Sequence, residues 1–467
     1  MKTHLLLLFI FFNLNQSFGQ LSLYNTRTLF DSFENPAQKA FYTDSSRKYA
    51  FNFLIPNLSV NAIVKGPAQT SFKSLFYKGV FNTNGLTIGG NEVNTIHFNE
   101  NTYIAMFKIF KAVNYNRELG FSWQIKSYGN ITITNETLAL FNSFKLFNTP
   151  LYGNLFNNSG ESIAYHQFGF TFREDYDRKL GLGIKLSYLS GIAYSSLDID
   201  RSSLSFDEAN KSYVLNMGGS FRSNILYDDP DKTVIIPGFK NPGLALTLSA
   251  NYKLKNKLFL LANIKDLGFI SWGKTPYKFT FNHTLNFTGG TKQGTLNKDL
   301  RKKLFSNPDL SKYTTKLDTR AELLLNKNLN SYQPNLLISK SIFEKGGDIA
   351  LINTYRSGLL NLSLSTAYNL NNYFQIGGQF MLKTPNIEFF MGSDNVFKSY
   401  YIAKGVLTSN ENIGKNHTAA SVYLGFALKY GQSMERQQNA SFIPVDDRDF
   451  KESFFKRLYK RVFKKKH

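Results

Sequence analysis

The sequence contains no cysteine, which excludes disulfides, thiolate metal sites, a cysteine nucleophile and a lipid-modified N-terminal cysteine. It also lacks any apolar stretch near the ~20 residues that a bilayer-crossing helix needs. The longest run at the N-terminus, Leu5 to Phe12, is only eight residues. Histidine is scarce: His4, His97, His166, His283, His417 and His467 are scattered, with no pair at helical metal-ligand spacing. No metal and no cofactor is expected.

Motifs that suggest chemistry are equally thin. Gly289-Gly290-Thr291-Lys292-Gln293-Gly294 has the wrong lysine position for a phosphate loop and no helix signal after it, so it reads as a turn. Asp228-Asp229-Pro230-Asp231 offers hard oxygen ligands to calcium, but a proline-centred turn accounts for it better. A Ser/His hydrolase built on His166 has nothing in its favour. The expectation is a protein that is not an enzyme.

What is present begins at the N-terminus. Lys2, the apolar run and Ser17-Phe18-Gly19-Gln20 have the order of charge, core and small residues of a cleavable secretory signal, placed at 1–19, so the mature chain starts at Gln20. A secreted chain with no helix able to cross a membrane can enter one only as a closed barrel, because helices and barrels alone satisfy every backbone group in hydrocarbon. The composition suits that: 44 Phe and 26 Tyr coexist with a slightly negative mean hydropathy, as when half of each strand faces lipid and half faces water.

Strict alternation carries the fold. Leu180, Leu182, Ile184, Leu186 and Tyr188 oppose Gly181, Gly183, Lys185 and Ser187. The same division recurs in Leu244 to Lys253, Gln167 to Arg173, Leu360 to Tyr368 and Ser421 to Tyr430, and in Leu258 to Lys265 and Phe374 to Lys383. Period two places alternate side chains on opposite faces of a strand. The pattern predicts an all-β, antiparallel transmembrane β-barrel over residues 49–431. Short turns at Glu174 to Lys179, Lys255-Asn256 and Asn369 to Asn372 are expected on one side and long loops on the other. Tyr252 and Tyr368 then fall at the short-turn end and Tyr188 at the opposite end, as aromatic girdles. On the polar parity, Arg173, Lys185, Lys253, Lys265, Lys383 and Lys429 are lumen candidates, and a positive lumen would favour anions.

Two regions break the alternation. A basic insertion over 291–322, with a short helix at Lys298 to Phe305, is a loop or a plug. The C-terminal part, 432–467, is a linker followed by a basic amphipathic helix from Asp446 to His467. Its Phe454, Phe455, Leu458 and Phe463 recur at helical spacing opposite Lys456, Arg457, Lys460 and Arg461. From Arg448 onward nine Lys or Arg stand against two acidic residues, a net of +7 that makes about a third of the chain's +22. Such a helix reads as an element for a membrane surface or a partner groove. A secreted chain without a recognition motif makes nucleic acid an unsuitable partner despite the charge.

Four landmarks remain: Asn35-Pro36-Ala37, Leu54-Ile55-Pro56-Asn57, Lys265-Asp266-Leu267-Gly268-Phe269-Ile270-Ser271-Trp272 and Gly392-Ser393-Asp394-Asn395-Val396-Phe397. In this order the chain resembles a family of uncharacterised Bacteroidota outer-membrane barrels. That family is similar to the PorP/SprF accessory barrels of type IX secretion and, more distantly, to FadL-like transporters. The resemblance implies about 14 strands and a place in the outer membrane with both termini periplasmic. Residue by residue, Asn35-Pro36-Ala37 is a turn that either seats an N-terminal segment (20–48) in the barrel mouth or simply leads into the first strand. Asp266 and Gly268 permit a bulge or bend ending a strand, and Trp272 suits an interfacial anchor. The functional expectation is an anchor or accessory in a surface-protein secretion or envelope complex, with outer-membrane lipid and a periplasmic or secretion-complex protein as partners. The alternative is a FadL-like or porin-like transporter of hydrophobic compounds or anions.

Overall fold

A computed structural model describes residues 21–432 and 454–463, apart from 41–46, 53–54, 79–81, 84, 112–116, 148, 226–235, 345, 411–412 and 415–417. The signal sequence and Asp228 to Asp231 lie outside the described residues.

Each alternating segment is a strand, and its two faces differ as period two requires. On one strand Leu244 is 59% exposed and Ser249 5%; on another Leu364 is 55% exposed and Ser365 1%. The exposed face is the apolar one all round the wall: Phe121, Phe170, Leu186, Leu323, Ile338, Leu351, Phe374 and Val422 all point outward. A soluble protein does not present a continuous apolar belt of this size. Hydrocarbon is the solvent that such a belt fits.

In chain order the strands are β1 (Arg47–Phe51), β2 (Leu58–Lys65), β3 (Val93–Lys111), β4 (Arg117–Thr134), β5 (Leu151–Gly153), β6 (Ser159–Asp175), β7 (Leu180–Asp207), β8 (Ser212–Ser223), β9 (Pro242–Lys253) and β10 (Leu258–Trp272). They continue as β11 (Tyr277–Thr288), β12 (Tyr313–Lys316), β13 (Arg320–Lys327), β14 (Tyr332–Ser341), β15 (Gly347–Ser357), β16 (Leu360–Asn369), β17 (Tyr373–Lys383), β18 (Ile387–Ser393) and β19 (Ala419–Gln432). The helices are α1 (Leu29–Glu34), α2 (Gln69–Lys78), α3 (Asn135–Asn142), α4 (Gln293–Leu304), α5 (Val396–Thr408) and α6 (Phe454–Phe463).

The wall closes because β19 pairs with both β1 and β2, which also share β3 as their other neighbour. The chain thus makes one interrupted strand there, and β12 with β13 makes another beside β10. Counted in this way the barrel is antiparallel and has 14 strands. At the first interruption, asparagines replace missing ladder partners: Asn52 Oδ1 accepts the Met106 N–H at 2.6 Å, and Asn57 Oδ1 accepts the Phe426 N–H at 2.9 Å.

The connections sort by length. Turns at 176–179, 254–257, 328–331, 358–359 and 384–386 lie on one side, and both ends of the wall, Arg47 and Gln432, emerge there. The other side carries the long segments 66–92, 135–158, 208–241, 273–312 and 394–418, together with two tight turns at 342–346 and 370–372. The turn after Asn369 therefore belongs to the long-loop side. Tyr368 closes the belt there, not at the short-turn end where the sequence pattern put it.

Above the long-loop rim, β7 continues past the wall. Its first part pairs with β9, while Ser195 to Asp207 pairs with β8, which in turn pairs with β11. Helices α3 and α4 belong with this sheet, and together they form a separate core: Leu140, Phe144, Leu215, Phe287, Leu296 and Leu300 are all buried in it. The basic insertion is thus part of an outer module. Its helix starts at Gln293, earlier than expected, because Leu296 and Leu300 one turn apart seal the sheet, and a helix does follow the Gly289-Gly290 turn. Residues 313–316 and 320–327 return to the wall, so the expected insertion 291–322 runs into a wall strand.

Strand β10 carries a bulge: the register to β9 slips between Ile264 and Leu267, and Asp266 has φ +51°. One extra residue reverses the parity beyond it. Before the bulge even-numbered residues face out; after it Leu267 and Phe269 do. Trp272 is therefore turned inward, fully buried, with its indole N–H donating to Thr315 Oγ1 at 2.8 Å. It is a lumen residue and not the interfacial anchor that unbroken alternation predicts.

Candidate functional site

The interior of the barrel is occupied by the chain's own N-terminal segment. Residues 21–23 form a short 3-10 turn; Thr28 then caps α1, its hydroxyl accepting the Asp31 N–H at 3.1 Å. The helix stops where Pro36 follows Asn35, and Gln38 N–H closes a turn onto the Asn35 carbonyl at 2.8 Å. Leu21, Leu23, Leu29, Phe30, Phe33, Ala37 and Ala40 are each at most 2% exposed. The expected N-terminal segment in the barrel mouth is thus a plug through the lumen.

Polar contacts fasten it from end to end. Leu21 N–H donates to Asp394 Oδ1 and Leu29 N–H to Glu388 Oε2. The Tyr24 hydroxyl donates to Glu322 at 2.6 Å, and Ala40 N–H to both oxygens of Glu118 at 3.1 Å. Glu34 accepts from Asn101 and Tyr103 at 2.9 and 2.7 Å. Burial alone would raise its pKa, but the ammonium groups of Lys126, Lys265 and Lys185 outweigh that and hold it at about 2. Asp31, by contrast, is pushed up to about 6 by burial, against the opposing pull of hydrogen bonds from Arg27 and Asn35.

The Asn35-Pro36-Ala37 turn is seated by chemistry spread over three strands. The Ala37 carbonyl accepts from Arg173 Nε at 3.0 Å and from the Asn251 amide, and Asn35 Oδ1 accepts from Asn263. Gly183 makes this approach possible: a Cβ there would stand 2.2 Å from the Pro36 carbonyl carbon. Gly183→Ala should therefore destabilise the seat by about 1–3 kcal/mol, enough to raise local opening roughly tenfold. The expected result is trypsin cleavage after Arg27 and Lys39 in a barrel that keeps its heat-dependent gel mobility; unchanged resistance would refute the contact.

Five of the six lumen candidates point inward. Arg173, Lys185, Lys265 and Lys429 are buried, and Lys383 donates to the Thr26 and Arg27 carbonyls at 2.9 and 2.7 Å. Lys253 does not join them; it is exposed at the short-turn rim, where it reaches the Arg178 carbonyl. Three of these inward cations face carboxylates, which offsets the positive charge expected of the lumen: Lys265 with Glu322 and Glu34 at 3.0 and 3.5 Å, Lys429 with Glu388 at 2.6 Å, and Arg173 with Asp175. Asp266, set by the bulge, receives Lys126 at 2.7 Å and Gln167 at 3.0 Å. Sequence reasoning missed this acidic half, together with Lys108 and Glu118, although Glu118, Glu322 and Glu388 lie on the inward parity of their strands.

A cavity of about 80 Å³ remains beside the plug, lined among others by Tyr24, Glu34, Glu100, Lys126, Lys265 and Asp266. That is room for a few waters. Among the described residues no group of three or more His, Cys, Asp or Glu is arranged to hold a metal. The tail residues lie outside the barrel: Phe454 and Phe455 pack on Phe172 of the wall, while Leu458 remains exposed. Lys456, Arg457, Lys460 and Arg461 occupy the same helix, and nothing is described of the Phe463 side chain.

Solved structures with a similar chain path are outer-membrane proteins. The Pseudomonas putida toluene transporter TodX aligns over 90% of this chain and 98% of its own at 8% identity, with a TM-score of 0.43. A Pseudomonas aeruginosa FadL homologue aligns over 88% and 95% at 10% identity and 0.39, and the Ralstonia pickettii toluene transporter TbuX over 86% and 92% at 9% identity and 0.39. No curated protein sequence matches the chain. The model of a family of unknown function (DUF5723) matches residues 43–394.

Proposed function

The chain belongs to this family of unknown function, and we propose that it works as a closed, non-enzymatic outer-membrane barrel, an anchor or accessory of a surface-protein secretion or envelope complex. The short turns and both ends of the wall face the periplasm in this reading, and the outer module faces the exterior. The observation that carries it is the plug: residues 21–40 occupy the lumen and bond to opposite sides of the wall, through Glu388 of β18 on one and Asn251 of β9 on the other. A barrel stoppered in this way is a scaffold. The module with its own core is the part shaped to be offered to another protein.

The test has two arms. The full chain in planar bilayers should show no conductance steps, and isolation from native envelopes should recover a partner in fixed ratio that is lost when 208–241 and 273–312 are shortened to tight turns. Conductance by the intact chain, or the same partners after shortening, would reject the reading.

A second reading, a FadL-like transporter of small hydrophobic compounds, is favoured by the interrupted strand between β1 and β2. There the wall is held by the Asn52 and Asn57 side chains instead of a continuous ladder. Uptake of a monoaromatic hydrocarbon by vesicles carrying the intact chain would select it.

A further inference from the structure

The last described element, α6, is seated on the outside of the wall. The rings of Phe454 and Phe455 lie 5.6 and 5.5 Å from the ring of Phe172, and Phe455 N–H donates to Glu174 at 3.4 Å. Phe172 belongs to the lipid-facing parity of β6, between Leu119 of β4 and Ile184 of β7, and stands three residues from the strand end at Asp175. The helix therefore starts where the apolar belt meets the short-turn edge of the barrel.

The apolar stripe continues along the helix. Leu458 and Tyr459 follow Phe454 and Phe455 at i+4 and are 45% and 52% exposed. Lys456, Arg457, Lys460 and Arg461 occupy the intervening positions. Ten residues make about 15 Å of helix, too short to cross a bilayer. A strongly amphipathic, basic helix lies in the plane of an interface, apolar face toward the acyl chains and cations at the headgroups. Its first two rings rest on a belt residue, so the stripe begins at the depth of the edge of the belt.

We propose that α6 is an interfacial helix that binds anionic phospholipid headgroups of the leaflet at the short-turn edge, with Phe454, Phe455, Leu458 and Tyr459 set into that leaflet. The proposal rests on the wall being membrane-spanning and not on the barrel being closed, so it can fail or stand independently of the anchor reading. It gives the +7 tail a lipid surface as its partner and leaves the outer module as the surface for proteins.

The absence of cysteine makes a direct test available. Leu458→Cys in the full chain gives a single thiol for an environment-sensitive fluorophore, and Lys456→Cys does the same on the basic face. The chain is refolded into vesicles of phosphatidylcholine with or without phosphatidylglycerol, and heat-dependent gel mobility establishes insertion before the tail is read. The label at 458 should be blue-shifted and quenched by brominated acyl chains in the anionic vesicles, while that at 456 stays wet. Changing Lys456, Arg457, Lys460 and Arg461 to Gln should weaken the lipid-bound state by about fivefold for each charge removed. A label at 458 that stays in water in both vesicles overturns the proposal. So does one that becomes buried only when envelope proteins are added, which would assign the helix to a protein partner.

Discussion

Deleting residues 21–40 from the mature chain should convert a silent barrel into one that conducts. The wall does not need the plug to close, since β19 pairs with β1 and β2 through ladder bonds, with the Asn57 side chain of the wall itself bridging the gap to Phe426. The inward charges retain wall partners after the deletion: Lys265 keeps Glu322, Lys429 keeps Glu388, and Lys126 keeps Asp266. Water entering the lumen would hydrate what the plug leaves, so the unpaired carbonyl acceptors and amides are not stranded. Eight-stranded barrels are filled by their own side chains, whereas those with roughly 16–18 strands hold an aqueous channel. A 14-stranded wall emptied of Leu21, Leu23, Leu29, Phe30 and Phe33 falls on the open side of that range. The expected record is stepwise current in planar bilayers from the deletion and none from the intact chain. Each lost apolar side chain also removes about 1.5–3 kcal/mol of burial, so the deleted barrel should melt earlier. Silence from a deletion variant shown to be inserted would mean that the wall itself, and not the N-terminal segment, closes the lumen.

The strands were legible because lipid outside and polar contacts inside impose opposite chemistry on alternate residues. Leu180 to Tyr188, Leu244 to Lys253 and Leu360 to Tyr368 all lie within strands, with the apolar parity outward. Alternation is blind to insertions, however. The bulge at Asp266 occupies one residue in an otherwise regular strand, and no local signal separates it from a strand end; Trp272 was misread for that reason. Turn length is likewise an incomplete guide to side: the tight turn at 370–372 lies among the long loops, so Tyr368 was put at the wrong end.

The plug was legible as a turn that either seats 20–48 in the barrel mouth or leads into the first strand, and its contacts were not. Asn35-Pro36-Ala37 announces a bend, but what the bend rests on, Gly183, Arg173, Asn251 and Asn263, comes from distant strands that meet only when the barrel closes. The same holds for the lysines. Parity placed five of them inside, yet their acids, Glu34, Glu322 and Glu388, stand between 41 and 231 residues away in the sequence from the lysines they pair with. A positive lumen was inferred from the cations without the carboxylates that face Arg173, Lys265 and Lys429.

Glu118→Ala should be the most damaging single substitution in the wall. Lys108 Nζ lies 3.3 Å from Glu118 Oε2, and neither side chain has any exposed surface. The carboxylate also accepts the Ala40 N–H, while the ammonium donates to the Ser32 carbonyl at 3.0 Å and stands 5.2 Å over the Phe33 ring. This pair ties the plug to β3 and β4 at the short-turn end. Removing the acid alone leaves a buried cation without its counter-charge and a buried amide without its acceptor, a loss of about 3–5 kcal/mol. Replacing both partners is expected to cost far less, because Lys108→Met removes the charge and Glu118→Gln keeps an acceptor for Ala40. The double variant should therefore be more stable than Glu118→Ala despite carrying two changes. The exposed Arg201–Asp200 pair, 69% and 60% accessible, supplies the contrast. Urea unfolding from vesicles, followed by gel mobility without boiling, ranks the variants. If Glu118→Ala unfolds at the wild-type midpoint, water must already reach this pair, and the plug is looser than its contacts imply.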